Sequence, residues 1–272
     1  MKRRNFTKKA IVYTLLILGS VIMLFPFIWM VSTSFKPPSE VYGLKLIADN
    51  PTFNNYRKII EGTLFTKWFL NSFIVAVITT VSVALFDTLV GYIIAKFNFF
   101  GKQVIFLFIL SSLMIPTEML IIPWYLMSAD LGWVDTYWGV MFPGVISAFG
   151  IFLMKQFMES IPDDLLDAAR IDGMNEFSIF FKVAIPQVFP ALSALCIFTF
   201  LGNWNAYLWP LIVIETAEMR TLPVGLAFFS GENQTYWELV MAGATIAVIP
   251  LIIVFLIFQR HIIKGITLTG LK

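Results

Sequence analysis

The segment "SIPDDLLDAARIDGMNEFSIFFKVAIP", residues 160–186, decides how the rest of the chain is interpreted. It holds five carboxylates in a chain of 272 residues that is 13% charged and 58% hydrophobic. Long apolar runs lie on both sides of it. A soluble domain carries roughly a quarter charged residues. The composition therefore indicates a membrane protein, in which this acidic, helix-prone segment is a polar loop between two membrane spans.

Six apolar segments are each long enough to cross a hydrocarbon core of about 30 Å as a helix. They lie at about 11–33, 69–95, 104–122, 137–155, 188–213 and 239–259. The first follows a basic stretch, but it is longer than the apolar part of a signal peptide and no clear cleavage site follows it. We therefore expect a retained helix. The sequence predicts an all-α membrane protein, with one transmembrane domain over residues 1–272.

The basic residues are unequally divided between the two sets of loops. If the N-terminus is cytoplasmic, thirteen of the nineteen Lys and Arg residues fall on the cytoplasmic side and six fall outside. Cytoplasmic loops carry the excess of Lys and Arg in membrane proteins. We therefore expect both termini, and the loop at 156–187, to be cytoplasmic.

Within this loop, turn and capping residues predict two short helices. Ser160 and Asp163 have the spacing of a capping box, and Pro162 suits a first helical turn. Gly173 suits a helix stop with positive φ, and Asn175 can cap a second helix. The residues expected on one apolar face of that helix are Phe177, Phe180 and Phe181. Such a pair is either a connector packed on the ends of the spans or a docking surface for another protein.

Several kinds of chemistry are excluded by composition. Cys196 is the only cysteine and His261 the only histidine, so the chain cannot build a disulfide, a Cys–His dyad or a His/Cys metal site. The sequence contains no phosphate-binding P-loop. A net charge of +2 is too small to indicate nucleic acid. Composition alone leaves an all-carboxylate site open, but we expect no catalytic residue, metal or cofactor in this chain.

The stretch "LLDAARIDGMNEFSIFFKVAIPQVFP", 165–190, resembles the EAA loop of ATP-binding-cassette importer permeases. Asp167-Ala168-Ala169 stands where the family has E-A-A, Asp172-Gly173 matches the D-G that follows, and Pro186 and Pro190 match the distal prolines. Asp167 in place of Glu keeps the charge and shortens its reach by one methylene.

The resemblance extends to the carbohydrate-importing branch through residues 111–157 and through "FTFLGNWNAYLWPLIV", 198–213. Ala206 stands where that branch often has Asp. The chain is similar to the smaller membrane subunit of maltose-type systems. This likeness implies a type I ABC-importer permease fold, with six transmembrane helices and a cytoplasmic coupling-helix loop, in the bacterial plasma membrane.

The same resemblance implies a set of partners. They are a second, homologous permease subunit, two copies of a cytoplasmic ATP-binding subunit that holds ATP and Mg, an extracytoplasmic solute-binding protein, membrane lipid and a carbohydrate solute. The coupling helix should dock in a cleft on the ATPase, with the three phenylalanines as anchors. The residues implied in coupling are Asp167, Ala168, Ala169, Asp172, Gly173, Phe177, Phe180 and Phe181. The tail at 262–272 also resembles the family's tail.

Polar residues inside the predicted spans are candidates for the transport pathway. Asp87, toward the cytoplasmic third of its span, suits either a direct transport role or a structural pair with Lys or Arg between helices. Glu118, near the outer end of its span, suits a gate or a residue at the rim. A cluster on the fifth span fits an aromatic sugar platform or, alternatively, packing between helices. Its members are Asn203, Trp204, Asn205, Tyr207 and Trp209. Two rival functions remain open at this point: a secondary solute carrier and a membrane-embedded transferase.

Overall fold

The computed structural model describes residues 2–230 and 235–269, and the side chains at 2–8, 10 and 260–269 are outside this description. Within those residues every named element is a helix, which confirms the all-α prediction. The α-helices are α1 (Lys2–Ser34), α2 (Asn54–Gly62), α3 (Phe65–Lys96), α4 (Lys102–Ser112), α5 (Ile121–Asp130), α6 (Tyr137–Met141), α7 (Ala148–Glu159), α8 (Asp163–Ile171), α9 (Glu176–Ile179), α10 (Ile185–Trp204), α11 (Leu208–Val213), α12 (Leu222–Ala227) and α13 (Trp237–Thr269). Short 3₁₀ turns occupy Thr117–Leu120 and Phe142–Gly144.

Four continuous helical stretches in the described residues are long and apolar enough to cross a membrane. They are Ile11–Ser34, Phe65–Lys96, Glu176–Trp204 and Trp237–Gln259. Two further stretches pass the same test only as bent pairs. Lys102–Ser112 and Thr117–Asp130 meet at 92°, and Tyr137–Gly144 and Ala148–Glu159 meet at 43°. The total reaches six when each bent pair counts as one span.

Two of the predicted spans are not single helices. The range 104–122 is broken between α4 and the turn at Thr117, because Pro116 adopts an extended backbone (ψ 130°) and has no N–H to continue a helix. The range 188–213 is broken after Trp204, and α11 begins only at Leu208. Pro210 again lacks the N–H that a continuous helix would need.

The chain forms two compact units. One consists of residues 1–66 and 225–249, and the other of 67–224 and 250–272. In the first unit, the apolar side chains of α1 between residues 11 and 31 are largely exposed, as expected for a helix that meets lipid. The second unit contains all of the candidate site residues.

The hydrophobic core of the second unit joins the predicted loop to the membrane helices. Tyr92 from α3, Met154 from α7 and Leu166 from α8 are buried in one cluster with Phe180. The loop helices are therefore part of the folded unit, so a displacement of the loop must be shared by the helices packed against it.

A π-helical turn, Phe180–Ala184, connects α9 to α10. In this turn the Ile185 N–H donates to the Phe180 carbonyl, five residues back, where an α-helix bonds four residues back. Pro186 follows at once and cannot donate a backbone hydrogen bond. The three pieces still form one continuous apolar stretch, Glu176–Trp204.

Candidate coupling site

The turn between α8 and α9 is built by Gly173. Gly173 has φ +82°, which confirms the predicted positive φ. Its N–H donates to the Arg170 carbonyl (3.0 Å), and the Met174 N–H donates to the Ala169 carbonyl (3.1 Å). These two hydrogen bonds form a Schellman motif, which satisfies the last carbonyls of α8. Asp172, the residue before Gly173, is exposed at the end of α8.

The helices on the two sides of this turn begin differently: a side chain caps α9, whereas no described side chain caps α8. The Asn175 side chain accepts a hydrogen bond from the Ser178 N–H (2.8 Å), as predicted for the cap of α9. The predicted capping box at Ser160 is wrong. The Ser160 hydroxyl donates to the Phe157 carbonyl (2.7 Å), because Ser160 closes α7. Pro162 directly precedes α8 instead of lying in its first turn.

Arg170 holds the two short helices together through ion pairs. Its guanidinium donates to Asp167 (2.5 Å) and to Glu176 (2.7 Å). These hydrogen bonds, the one donated to Glu176 foremost, hold the pKa of Arg170 above its usual range. Glu176 also accepts from the Tyr92 hydroxyl (3.3 Å). Asp167 thus acts inside the loop. Sequence analysis did not select Arg170, although its spacing of three residues from Asp167 suggests a helical ion pair.

The three phenylalanines of the predicted face do not share it. Phe177 and Phe181, four residues apart, are 72% and 51% exposed. Phe180 is only 2% exposed, and its ring packs 5.3 Å from that of Tyr92. Phe180 and Ala184, also four apart, point into the core. The expectation that Phe180 is an exposed anchor is therefore wrong, because its ring is already buried by its own chain.

The loop presents a mixed surface of carboxylates and apolar side chains. On α8, Asp167 and Ala168 are exposed, whereas Ala169 faces the core. Leu165 and Ile171 are also exposed. Exposed apolar side chains therefore alternate with carboxylates along the surface formed by α8 and α9.

Lys96, the last residue of α3, ties that helix to the start of the loop. Its ammonium donates to the Asp163 carboxylate (2.7 Å) and to the Ile161 carbonyl. The Lys96 side chain is 6% exposed, whereas that of Asp163 is 77% exposed. The hydrogen bond from Lys96 lowers the pKa of Asp163.

We expect the two partners of this ion pair to respond unequally to substitution. Lys96→Met removes both hydrogen bonds and leaves the Ile161 carbonyl without its donor, which should cost about 1–3 kcal/mol of unfolding free energy. Asp163→Asn should change little, because exposed ion pairs contribute little. Thermal unfolding of the purified protein in detergent measures both. Equal shifts in the two variants would contradict the assignment.

The polar cluster predicted on the fifth span is dispersed in the structure. Trp204 is buried, with its ring 5.3 Å from that of Phe69. The amides of Asn203 and Asn205 donate to the carbonyls of Thr199 and Leu201, each at 2.9 Å. These contacts are local, within α10 or at its end, and they fit the packing interpretation.

Tyr207 and Trp209 follow the break after α10. The Trp209 indole donates to the Gly139 carbonyl (3.0 Å), and its ring packs against Trp124 at 5.7 Å. Tyr207 is exposed. The structure therefore gives Trp209 a packing role and leaves Tyr207 as the accessible ring.

Asp87 and Glu118 occupy very different environments. Glu118 is exposed in the 3₁₀ turn between α4 and α5. Asp87 is fully buried and accepts a hydrogen bond from the Ser147 N–H (3.1 Å). The expectation that Asp87 pairs with Lys or Arg is wrong for the described residues, because its partner there is a backbone amide.

The apolar helices define a class: a helical protein whose described residues contain four to six stretches long enough to span a membrane. The chain belongs to the family described as the binding-protein-dependent transport system inner membrane component, whose model matches residues 87–268. This membership confirms the predicted resemblance to ATP-binding-cassette importer permeases. It rules out a secondary carrier and a transferase, since the family is one of transport subunits whose ATPase is a separate chain.

Known relatives and a solved structure match this chain over nearly its whole length. An arabinooligosaccharide transport permease of Bacillus subtilis (strain 168) is 37% identical over 93% of this chain and 92% of its own length. A trehalose/maltose transport permease of Thermococcus litoralis is 32% identical over 95% and 96%. A chain in the crystal structure of a bacterial ABC transporter involved in alginate import has a TM-score of 0.84 and 26% identity, covering 96% of this chain and 98% of that chain.

Proposed function

We propose that this chain forms half of the translocation pathway of an ATP-driven importer of sugars, or of sugar-like polyols and glycosides. Relatives named for arabinooligosaccharides, lactose and trehalose/maltose support this solute class. Another relative of similar identity is named for sn-glycerol 3-phosphate, which supports the inclusion of polyols.

One observation carries the coupling role: α8 and α9 expose apolar side chains in a segment that is otherwise acidic. Exposed apolar residues on a membrane span meet lipid. Here, however, Ile171 ends a helix whose first turn bears Asp163 and Asp164, and Phe177 and Phe181 follow that helix. An exposed apolar stripe on an amphipathic helix suits a groove on another protein. The occupant we propose is the cytoplasmic ATPase, which docks on residues 160–185.

The proposed assembly contains a second, homologous permease subunit, two ATPase subunits with their ATP and Mg, and an extracytoplasmic solute-binding protein. The bias of basic residues supports two cytoplasmic termini in the bacterial plasma membrane. Lipid and the second permease would cover the apolar surface of α1. The tail at 262–272 lies outside the described side chains, so its proposed contact with the ATPase rests on resemblance alone.

Seven residues were candidates for the solute pathway: Asp87, Glu118 and the five polar or aromatic residues of the fifth span. Their exposure and contacts favour two of them. Glu118 and Tyr207 are exposed and are free to face a solute or a gate. Trp204, Trp209 and Asp87 are engaged in packing or in a backbone hydrogen bond. We propose Glu118 and Tyr207 as the pathway residues.

The experiment is reconstitution of the complete complex in liposomes. The chain is purified with its second permease, ATPase and binding protein, and ATP-dependent uptake of labelled arabinooligosaccharide, maltose, trehalose and glycerol 3-phosphate is measured. We expect uptake of at least one sugar that requires both ATP and the binding protein. Sugar uptake that proceeds without ATP or without the binding protein would contradict the proposed function.

A further inference from the structure

Helices α3 and α7 run side by side, and side chains of α3 bind the backbone at the start of α7. The Ser82 hydroxyl donates to the Val145 carbonyl (2.6 Å), and the Asp87 carboxylate accepts from the Ser147 N–H (3.1 Å). Residues 145–147 form the bend between the turn at Phe142–Gly144 and α7. The two side chains therefore fix this bend to α3.

The same two helices stay in contact toward the loop. A Cβ at Gly91 would lie only 2.8 Å from the backbone nitrogen of Lys155, so the backbones of α3 and α7 approach closely there. Lys96 then binds the Ile161 carbonyl beyond the end of α7. Residue numbers rise together on the two helices from one contact to the next. Helices α3 and α7 are therefore parallel from the bend to the coupling loop.

Asp87 is the least expected member of this pair, because a buried carboxylate in a membrane span is costly. It is 0% exposed, and its Oδ2 atom has no hydrogen-bond partner among the described residues. A Cβ at Gly150 would overlap Oδ2, so the glycine makes room for the carboxylate over the first turn of α7. The positive end of a helix stabilises a carboxylate in this position.

We propose that Asp87 is a positioning residue that fixes the start of α7 to α3, so that a displacement of the coupling loop moves both helices together. This inference rests on the proposed coupling role of the loop and adds a second point of attachment inside the membrane. A carboxylate is suited to this function because a charge-assisted hydrogen bond to a backbone N–H is about twice as strong as a neutral one.

The test compares Asp87→Leu, Asp87→Asn and Thr88→Val in the complete reconstituted complex. Leucine has nearly the same volume and no acceptor, whereas asparagine keeps an oxygen acceptor. Thr88 is the matched control, because it is the next residue, is equally buried, and its hydroxyl has no partner among the described residues. Two quantities are measured: amide hydrogen exchange at 147–150, and solute transported per ATP hydrolysed.

For Asp87→Leu, we expect amide exchange at 147–150 to become about tenfold faster or more. Transport per ATP should fall by a similar factor. Tenfold is the effect expected for the loss of one charge-assisted hydrogen bond. Asp87→Asn should stay within about threefold of the unmodified protein, and Thr88→Val should match it. Unchanged exchange and transport in Asp87→Leu would overturn the proposal, as would an equal loss in Asp87→Asn. Failure of the proposed function would already show in the unmodified complex.

A second pair of variants applies if Asp87→Leu does not fold. Gly150→Ala should prevent assembly, because its methyl group overlaps the carboxylate. Adding Asp87→Ala removes that oxygen and leaves the two Cβ atoms 3.2 Å apart, so assembly should return while transport per ATP stays low. Normal transport per ATP in the double variant would overturn the positioning role.

Discussion

Gly173→Val should lower ATP-driven transport by about tenfold or more while the chain still inserts into the membrane, because a β-branched residue at positive φ costs on the order of 1–3 kcal/mol. Gly173 has φ +82°, and a Cβ there meets nothing within 4 Å. The expected defect therefore comes from the backbone alone. It should open the Schellman turn and separate α8 from α9. Uptake by reconstituted complex, normalised to inserted protein, measures the effect.

Gly173→Asn is the control for this prediction. Asparagine tolerates the left-handed region better than other side chains, and the open space around Gly173 accepts its bulk. Transport should therefore remain near that of the unmodified protein. Coupled transport in the valine variant, or an equal defect in the asparagine variant, would show that the turn geometry is not what matters.

Joint truncation of Phe177 and Phe181 to alanine should release the ATPase when the complex is purified. Both rings are exposed on the folded chain, and aromatic anchors in the centre of an interface contribute roughly 2 kcal/mol or more each. Loss of two anchors is expected to weaken ATPase binding by about a thousandfold. The measurement is the ATPase-to-permease ratio after affinity purification through the permease.

Two single variants separate docking from folding. Phe198→Ala removes a ring that is 64% exposed on α10, outside the loop, and should retain the ATPase. Phe180→Ala removes a buried ring and should destabilise the permease itself by about 3–5 kcal/mol, which appears as a lower unfolding temperature. A stoichiometric complex after the double truncation would place the ATPase contact elsewhere.

The sequence predicted those parts of the loop that depend on local chemistry. Gly173 and Asn175 act on backbone groups only three or four residues away, so their types and spacing are sufficient. The apolar spans also follow from composition and length. The spacing of Ala168, Ala169 and Gly173 pointed to a known family, and the match to the family model confirms membership of that family.

Two of the predictions that failed, those for Phe180 and Asp87, depend on partners distant in sequence, whereas the failure at Ser160 is local. Phe180 is buried because Tyr92 is there to receive it, and no periodicity within the loop reveals that. Asp87 binds the Ser147 amide, and a backbone donor has no signature in the sequence. Ser160 fitted a capping box, but α7 extends to Glu159, so the hydroxyl serves the preceding helix.

The stretch Glu176–Trp204 spans 29 residues without a break, or about 43 Å at the helical rise. One end lies beside the Gly173 turn, and the other is held by the buried indole of Trp204 against Phe69. A tilt of about 10° at the loop would carry the opposite end roughly 7.5 Å if the helix were stiff. If the proposed ATPase displaces the loop, a far end held in this way would concentrate the bending at the π-helical turn Phe180–Ala184, whose hydrogen bonding differs from that of the α-helices on either side.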